Sequence, residues 1–204
     1  TSQVVPENKL RCKEPIREPG GGGVNVSRVM KRLGYETLAL YTSGGVTGDL
    51  FQQLVKAEQI SDYPYQVSAN TRENILISHT GTIALYRFNM AGGALLDTGW
   101  KGLISVVDHF DSIEYLVASG SLPPGVPDDF YARLSRRASE RGIRFVLDTS
   151  GLPLKKIKEA GAFLLKPNKN ELCDLVECKL ECKEDYIEAG RKVIEQYNVV
   201  NLVV

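Results

Sequence analysis

Ile113-Glu114-Tyr115-Leu116-Val117-Ala118 runs into Ser119-Gly120-Ser121-Leu122-Pro123-Pro124-Gly125, and Ile143-Arg144-Phe145-Val146-Leu147-Asp148 runs into Thr149-Ser150-Gly151. Each is a short apolar run that stops at small, turn-forming residues, the signature of a buried strand opening into a loop. Residues 128–141 between them read as a helix. So do residues 152–160, which lead into a third strand, Ala162–Leu165. Strand and helix alternating at this pitch predict βαβ units around a mainly parallel sheet, with helices on both faces.

The rhythm extends in both directions. Upstream, Val26, Val29, Met30 and Leu33 follow the 3.6-residue period, and Gly34 sits where a helix stops. Glu36–Thr42 reads as a strand and Gly48–Glu58 as a helix. Downstream, Glu184–Tyr197 reads as a helix and Val199–Val204 as a strand. Two regions break the pattern. Asn74–Ser78 and Ile83–Phe88 are extended runs on either side of a Thr80-Gly81 hairpin turn, and Lys9–Arg17 is extended because Pro15 and Pro19 exclude a helix. Strands standing apart from an α/β core predict a small β-sheet lid, with edge strands of the main sheet as the alternative. The division expected is residues 1–18 and 72–90 as lid, and 19–71 and 91–204 as α/β core.

Composition narrows the function. Of 204 residues, 25 are Lys or Arg and 25 are Asp or Glu, so the formal net charge is zero. No global field draws the chain to nucleic acid or to an anionic membrane. No apolar run exceeds four residues, too short for a spanning helix, and the first residues do not form a signal peptide. Cys12, Cys173, Cys178 and Cys182 do not follow a zinc-knuckle spacing and read as reduced thiols. His79 and His109 stand alone and suggest no role.

Three motifs carry candidate chemistry. Gly20-Gly21-Gly22-Gly23-Val24-Asn25 opens a helix: glycines let a ligand approach backbone N–H groups, the helix dipole favours an anion, and the Asn25 amide suits a sugar hydroxyl. Ser119–Gly125 lies past a core strand, and Ser121 can offer a hydroxyl to a ligand. Lys166-Pro167-Asn168-Lys169-Asn170-Glu171 joins a strand to a helix. Asn168 and Glu171 could hold Mg²⁺ through water beside phosphates, but on spacing alone a capping box, with Asn168 as N-cap and Glu171 at N3, is the stronger reading. Asp148 at a strand end could orient a ligand or cap the next helix. Arg72 and Arg87 bracket the lid hairpin, where cations would meet an anionic substrate.

In this order and spacing, Gly20–Asn25, Ser119–Gly125, Asp148–Gly151 and Lys166–Glu171 resemble the ribokinase-like (PfkB) sugar kinase family over essentially the whole chain. Lys9-Leu10-Arg11-Cys12, Glu18-Pro19, Thr71-Arg72-Glu73-Asn74 and Tyr86-Arg87-Phe88 look most like its minor 6-phosphofructokinase branch. The resemblance implies a cytoplasmic homodimer joined through the β-lid, transferring the ATP γ-phosphoryl to fructose 6-phosphate with Mg²⁺. Sister activities on tagatose 6-phosphate or fructose 1-phosphate stay open, as does a non-catalytic sugar-phosphate-binding module. It implies Lys9, Arg72 and Arg87 as grips on the sugar phosphate, and Gly20, Gly21, Asn25 and Ser121 as further sugar contacts. Lys166, Asn168 and Glu171 become the ATP-phosphate and Mg²⁺ element. The family's catalytic Gly-Ala-Gly-Asp motif and its first strand are expected outside residues 1–204, so these residues by themselves are expected to be inactive. Met90-Ala91-Gly92-Gly93 stands where the nearest relatives carry Met-Pro-Gly-Pro, which implies a less rigid lid hinge.

Overall fold

The computed structural model describes residues 9–78 and 85–204. Residues 9–20 form no regular element, in keeping with two prolines and a run of charged side chains. The chain then alternates α1 (Gly22–Arg32), β1 (Ala39–Ser43), α2 (Gly45–Ala57) and β2 (Asp62–Gln66). β3 (Asn74–Ser78) and β4 (Leu85–Asn89) follow, then α3 (Asp97–Val106), β5 (Tyr115–Ser119), α4 (Phe130–Glu140) and β6 (Arg144–Asp148). The chain continues through α5 (Gly151–Lys156), β7 (Ala162–Leu165), α6 (Lys169–Val176), α7 (Lys183–Gln196) and β8 (Val199–Leu202).

Among the described residues the strands fall into three sheets. β5, β6, β7 and β8 lie in sequence order, every neighbouring pair parallel. β1 and β2 form a parallel pair, and β3 and β4 an antiparallel pair of their own rather than edges of the main sheet. Helix α1 packs on both β1 and β5 and so ties the two parallel sheets together. The main core gathers Phe145 and Leu147 of β6, Leu165 of β7, Leu154, Leu172 and Val193 of the covering helices, and Trp100 of α3. Leu147, Leu165, Leu172 and Val193 are wholly inaccessible. A second cluster, Val24, Ala39, Val55 and Ile60, seals α1 and α2 against β1.

The expected elements are present with shifted ends. Helix α2 begins at Gly45 instead of Gly48, β1 begins at Ala39 instead of Glu36, and β8 stops at Leu202. The turn residues Thr80 and Gly81 lie outside the described residues. Sequence reading missed β2 and α3. Pro64 inside Asp62-Tyr63-Pro64-Tyr65-Gln66 argues against a strand, yet among the described residues β2 pairs with β1 alone, and an edge strand tolerates a missing N–H. Gly99 and Gly102 dilute the helical signal of α3, which tertiary burial of Trp100 and Val106 restores.

Successive residues of β3 and β4 point to opposite faces. Their register places Ile75 opposite Phe88 and Ile77 opposite Tyr86 on one face, and Leu76 opposite Arg87 and Asn74 opposite Asn89 on the other. One face is aromatic and aliphatic. The other carries the arginine.

Candidate active site at the strand ends

In a parallel α/β sheet the loops at the carboxyl ends of the strands are where ligands bind. The glycine run arrives there by packing. Gly21 takes φ 103°, a conformation that favours glycine, and caps α1. A Cβ on Gly22 would fall 1.9 Å from Ser119 Oγ, so the start of α1 lies directly on the end of β5. A Cβ on Gly20 or Gly23 would meet nothing within 4 Å. The protein's own packing therefore demands glycine at position 22 and leaves open space beside positions 20 and 23.

Beyond Ser119 the chain turns at Gly120 (φ 121°) into Ser121. The Gly120 carbonyl accepts hydrogen bonds from Thr149 Oγ1 at 2.8 Å and Tyr131 Oη at 2.9 Å, and its N–H donates to the Asp148 carbonyl at 3.0 Å. Burial pushes the Tyr131 phenol up to about 12, so it stays a donor across the physiological range. The Ser119–Ser121 loop is thus fixed from two neighbouring elements.

Arg72 reaches this loop from the other side. Its Nη1 lies 3.5 Å from Ser121 Oγ. The segment that carries it is anchored to the start of α2. Thr71 N–H donates to the Gly44 carbonyl at 2.9 Å, Gly44 N–H donates to Thr71 Oγ1 at 3.1 Å, and Thr47 Oγ1 donates to the Thr71 carbonyl at 2.6 Å. The glycine run, the Ser119–Ser121 loop and Arg72 therefore converge. Lys9 and Arg87 are exposed, on the coil before the glycines and on β4, and neither hydrogen-bonds to this cluster among the described residues.

Asn25 brings in a residue that sequence reading missed. Its Oδ1 accepts from Arg28 Nη1 at 2.5 Å. Arg28 also donates to the Pro19 carbonyl at 2.5 Å and, through Nε and Nη2, to both oxygens of Glu58 at 2.5 and 3.0 Å. The hydrogen bond from Arg28 holds the Glu58 carboxyl below the usual carboxylate range. With its oxygen engaged, the Asn25 amide has its NH₂ left to present. The signal was available: Arg28 lies three residues from Asn25, one turn along the same helix face.

The next two strand ends extend the row. Ser119 is in register with Asp148, whose Oδ2 lies 3.2 Å from Lys166 Nζ. One residue past Pro167, Asn168 and Glu171 form the capping box of α6. Glu171 N–H donates to Asn168 Oδ1 at 3.0 Å, and Asn168 N–H donates to Glu171 Oε2 at 2.8 Å. Both are exposed. The box engages one carboxylate oxygen and leaves the group with lone pairs for an outer ligand. That fits Mg²⁺ held through water, not a direct all-protein cage. Among the described residues no group of three or more His, Cys, Asp or Glu is arranged to hold a metal.

A row of small, polar and cationic groups lies along the ends of β5, β6 and β7, faced by a glycine-opened helix, an arrangement suited to an anionic ligand on an α/β core. The profile of the pfkB family carbohydrate kinase matches residues 2–204, and the chain belongs to that family. It is 36% identical over 205 residues to ATP-dependent 6-phosphofructokinase isozyme 2 of Escherichia coli (strain K12), covering 100% of this chain and 66% of that protein. It is 31% identical over 186 residues to 1-phosphofructokinase of Bacillus subtilis (strain 168), covering 91% of this chain and 60% of that protein. The crystal structure of phosphofructokinase-2 from Escherichia coli in complex with fructose-6-phosphate superposes with a TM-score of 0.92 at 36% identity, over 98% of this chain and 66% of that one. The chain spans somewhat less than two thirds of the length of these relatives. Among the described residues no helix is long and apolar enough to cross a membrane.

Proposed function

We propose that the protein carrying this chain transfers the γ-phosphoryl group of ATP to the C1 hydroxyl of fructose 6-phosphate, in the cytoplasm. The observation that carries the reading is the convergence of Gly22 on Ser119 and of Arg72 on Ser121. It means that a helix N-terminus, hydroxyl groups and a guanidinium lie close together. A sugar phosphate needs that combination: hydrogen-bonding groups for its hydroxyls and a planar cation for its phosphate. Gly20, Gly21, Asn25 and Ser121 take the sugar, with Arg28 and Glu58 orienting the Asn25 amide. Arg72 takes the sugar phosphate, and Lys9 and Arg87 join it when the β3–β4 sheet covers the cleft. Residues 1–18 and 72–90 are the lid in this reading, and the rest is the core.

The strand ends of β6 and β7 serve the nucleotide. Lys166 neutralises phosphate charge, and Asn168 and Glu171 hold the hydrated cation beside it. Mg²⁺, when bound there, would offset the negative charge that develops on the phosphoryl group during transfer. Phosphoryl transfer rests on positioning and charge stabilisation, which is what fixed loops supply. The C1 oxygen forms a bond to the γ-phosphorus as the bond from that phosphorus to the ADP oxygen breaks, ADP leaves with the electron pair, and the alcohol proton is released to solvent. The apolar face of β3–β4 is covered by a second copy, giving a homodimer.

Similarity extends to a 1-phosphofructokinase as well as to a 6-phosphofructokinase, so the acceptor is decided by assay. Steady-state kinetics of the intact protein on fructose 6-phosphate, fructose 1-phosphate, tagatose 6-phosphate and ribose should rank fructose 6-phosphate first by kcat/KM. Arg72→Ala should raise its KM roughly 10- to 100-fold, from the ~1.5–3 kcal/mol of a charge-assisted hydrogen bond. Preference for ribose, or an unchanged KM in Arg72→Ala, overturns the reading. Binding of phosphosugar with no transfer would mark a sugar-phosphate-binding module instead.

A further inference from the structure

Helix α6 ends in a turn flanked by two thiols. Glu177 adopts a left-handed backbone (φ 56°). The N–H groups of Glu177 and Cys178 both donate to the Cys173 carbonyl, the second at 3.3 Å. The second is the 6→1 bond of a Schellman-type cap, and the first the 5→1 bond of an αL cap. A Schellman cap commonly brings the side chain just past the left-handed residue against the side chain of the residue whose carbonyl is capped. In most helices that contact is apolar. Here the two residues are Cys178 and Cys173. Backbone hydrogen bonding holds their Cα atoms within roughly 5–7 Å, the span a disulfide crosses. Both cysteines are free thiols, Cys178 exposed and Cys173 partly so. Both line one open pocket of about 340 Å³, with Lys155, Asp174, Glu177 and Lys179 around them, so a small polar reagent can reach the sulfurs.

The third nearby cysteine is placed differently. Cys182 stands before α7, and its N–H donates to Asp185 Oδ2 at 3.1 Å. Hydrogen bonds from the Glu181 and Cys182 backbone hold the Asp185 carboxyl below its usual range, which ties Cys182 to its own cap. Since no set of three ligands is arranged to hold a metal among the described residues, the Cys173–Cys178 pair is left to dithiol chemistry.

We infer that Cys173 and Cys178 form a reversible redox-modification site, oxidised by a low-molecular-weight disulfide of the glutathione type. The exposed Cys178 thiolate attacks one sulfur of the reagent. The mixed disulfide forms and the first small thiolate leaves. The Cys173 thiolate then attacks Cys178 Sγ. The protein S–S bond forms, and the second small thiolate leaves. The two cysteines lose two electrons and two protons, and the reagent takes up both to become two thiols. The link closes across the cap of the helix whose other end carries Asn168 and Glu171.

The test uses the intact protein with oxidised glutathione, under conditions where the exposed Cys12 becomes glutathionylated. Remaining thiols are then alkylated and the protein is digested with trypsin. Cleavage after Lys169 and Lys179 leaves both cysteines in peptide 170–179, and Cys182 in peptide 180–183. The expected result is peptide 170–179 lighter by two hydrogen masses and closed to alkylation until a reductant is added. Cys173→Ser should instead hold a stable glutathione adduct on Cys178. A doubly alkylated 170–179 peptide, a persistent glutathione adduct on Cys178 in the unsubstituted protein, or a link to peptide 180–183 each overturns the inference.

Discussion

At the scale of single residues, the four glycines of positions 20–23 are not equivalent. Gly22 is fixed by packing, since an added Cβ would sit 1.9 Å from Ser119 Oγ and 2.7 Å from Ser119 Cβ. Gly22→Ala should therefore destabilise the fold by ~1–3 kcal/mol, the range for overpacking. Gly23→Ala meets nothing within 4 Å and sits in a helix, where alanine is favoured by up to ~1 kcal/mol. Urea midpoints of the two variants should move in opposite directions, and equal shifts would remove the packing argument. The glycine run was legible as a ligand-approach motif from its sequence. Which glycine serves packing and which leaves space for a ligand was not, because that depends on Ser119, nearly a hundred residues along the chain. The spacing of Arg28 to Asn25 is local and legible, but its anchoring is not, for a similar reason. Its partner Glu58 belongs to the end of the next helix, and an arginine on an amphipathic helix reads by default as solvated.

At the scale of elements, the start of α6 shows one geometry with two possible uses. The Asn168–Glu171 capping box is formed, so the local reading of that motif was correct as far as it went. A cap and a phosphate-side role are separable by substitution. Glu171→Gln keeps an acceptor for the Asn168 N–H and so keeps most of the box, while it removes the carboxylate charge. The thermal midpoint should change little, and the Mg²⁺ concentration needed for half-maximal activity should rise several-fold. An unchanged Mg²⁺ requirement would leave Glu171 as a cap alone. Elements with strong periodicity, such as α4, β6 and β7, were legible to within a residue or two. β2 and α3 were not, because a proline in one and two glycines in the other cancel local propensity, and long-range pairing and burial override it.

At the scale of the whole molecule, the described chain has two buried clusters and one sheet with no core of its own. The β3–β4 pair leaves Ile75, Tyr86 and Phe88 exposed on one face, with relative accessibilities of 48%, 39% and 46%. A two-stranded sheet with a bare aromatic face is marginal in isolation. In the proposed dimer that face is covered by a second copy. Phe88→Asp should then shift the intact protein from dimer to monomer in light scattering, and a dimer that persists unchanged would place the interface elsewhere.

The alternation of apolar runs with helical periods determined the class of fold by itself, because a buried parallel sheet needs helices on its faces and leaves that pattern locally. The order of its glycine, serine and Asn-x-x-Glu motifs pointed to the family. Tertiary structure alone decided which of these motifs meet. Gly22 against Ser119, Arg72 beside Ser121 and Arg28 on Glu58 are contacts between residues 30 to almost 100 positions apart. No local propensity encodes such contacts: they exist only once strands and helices have packed around a common core.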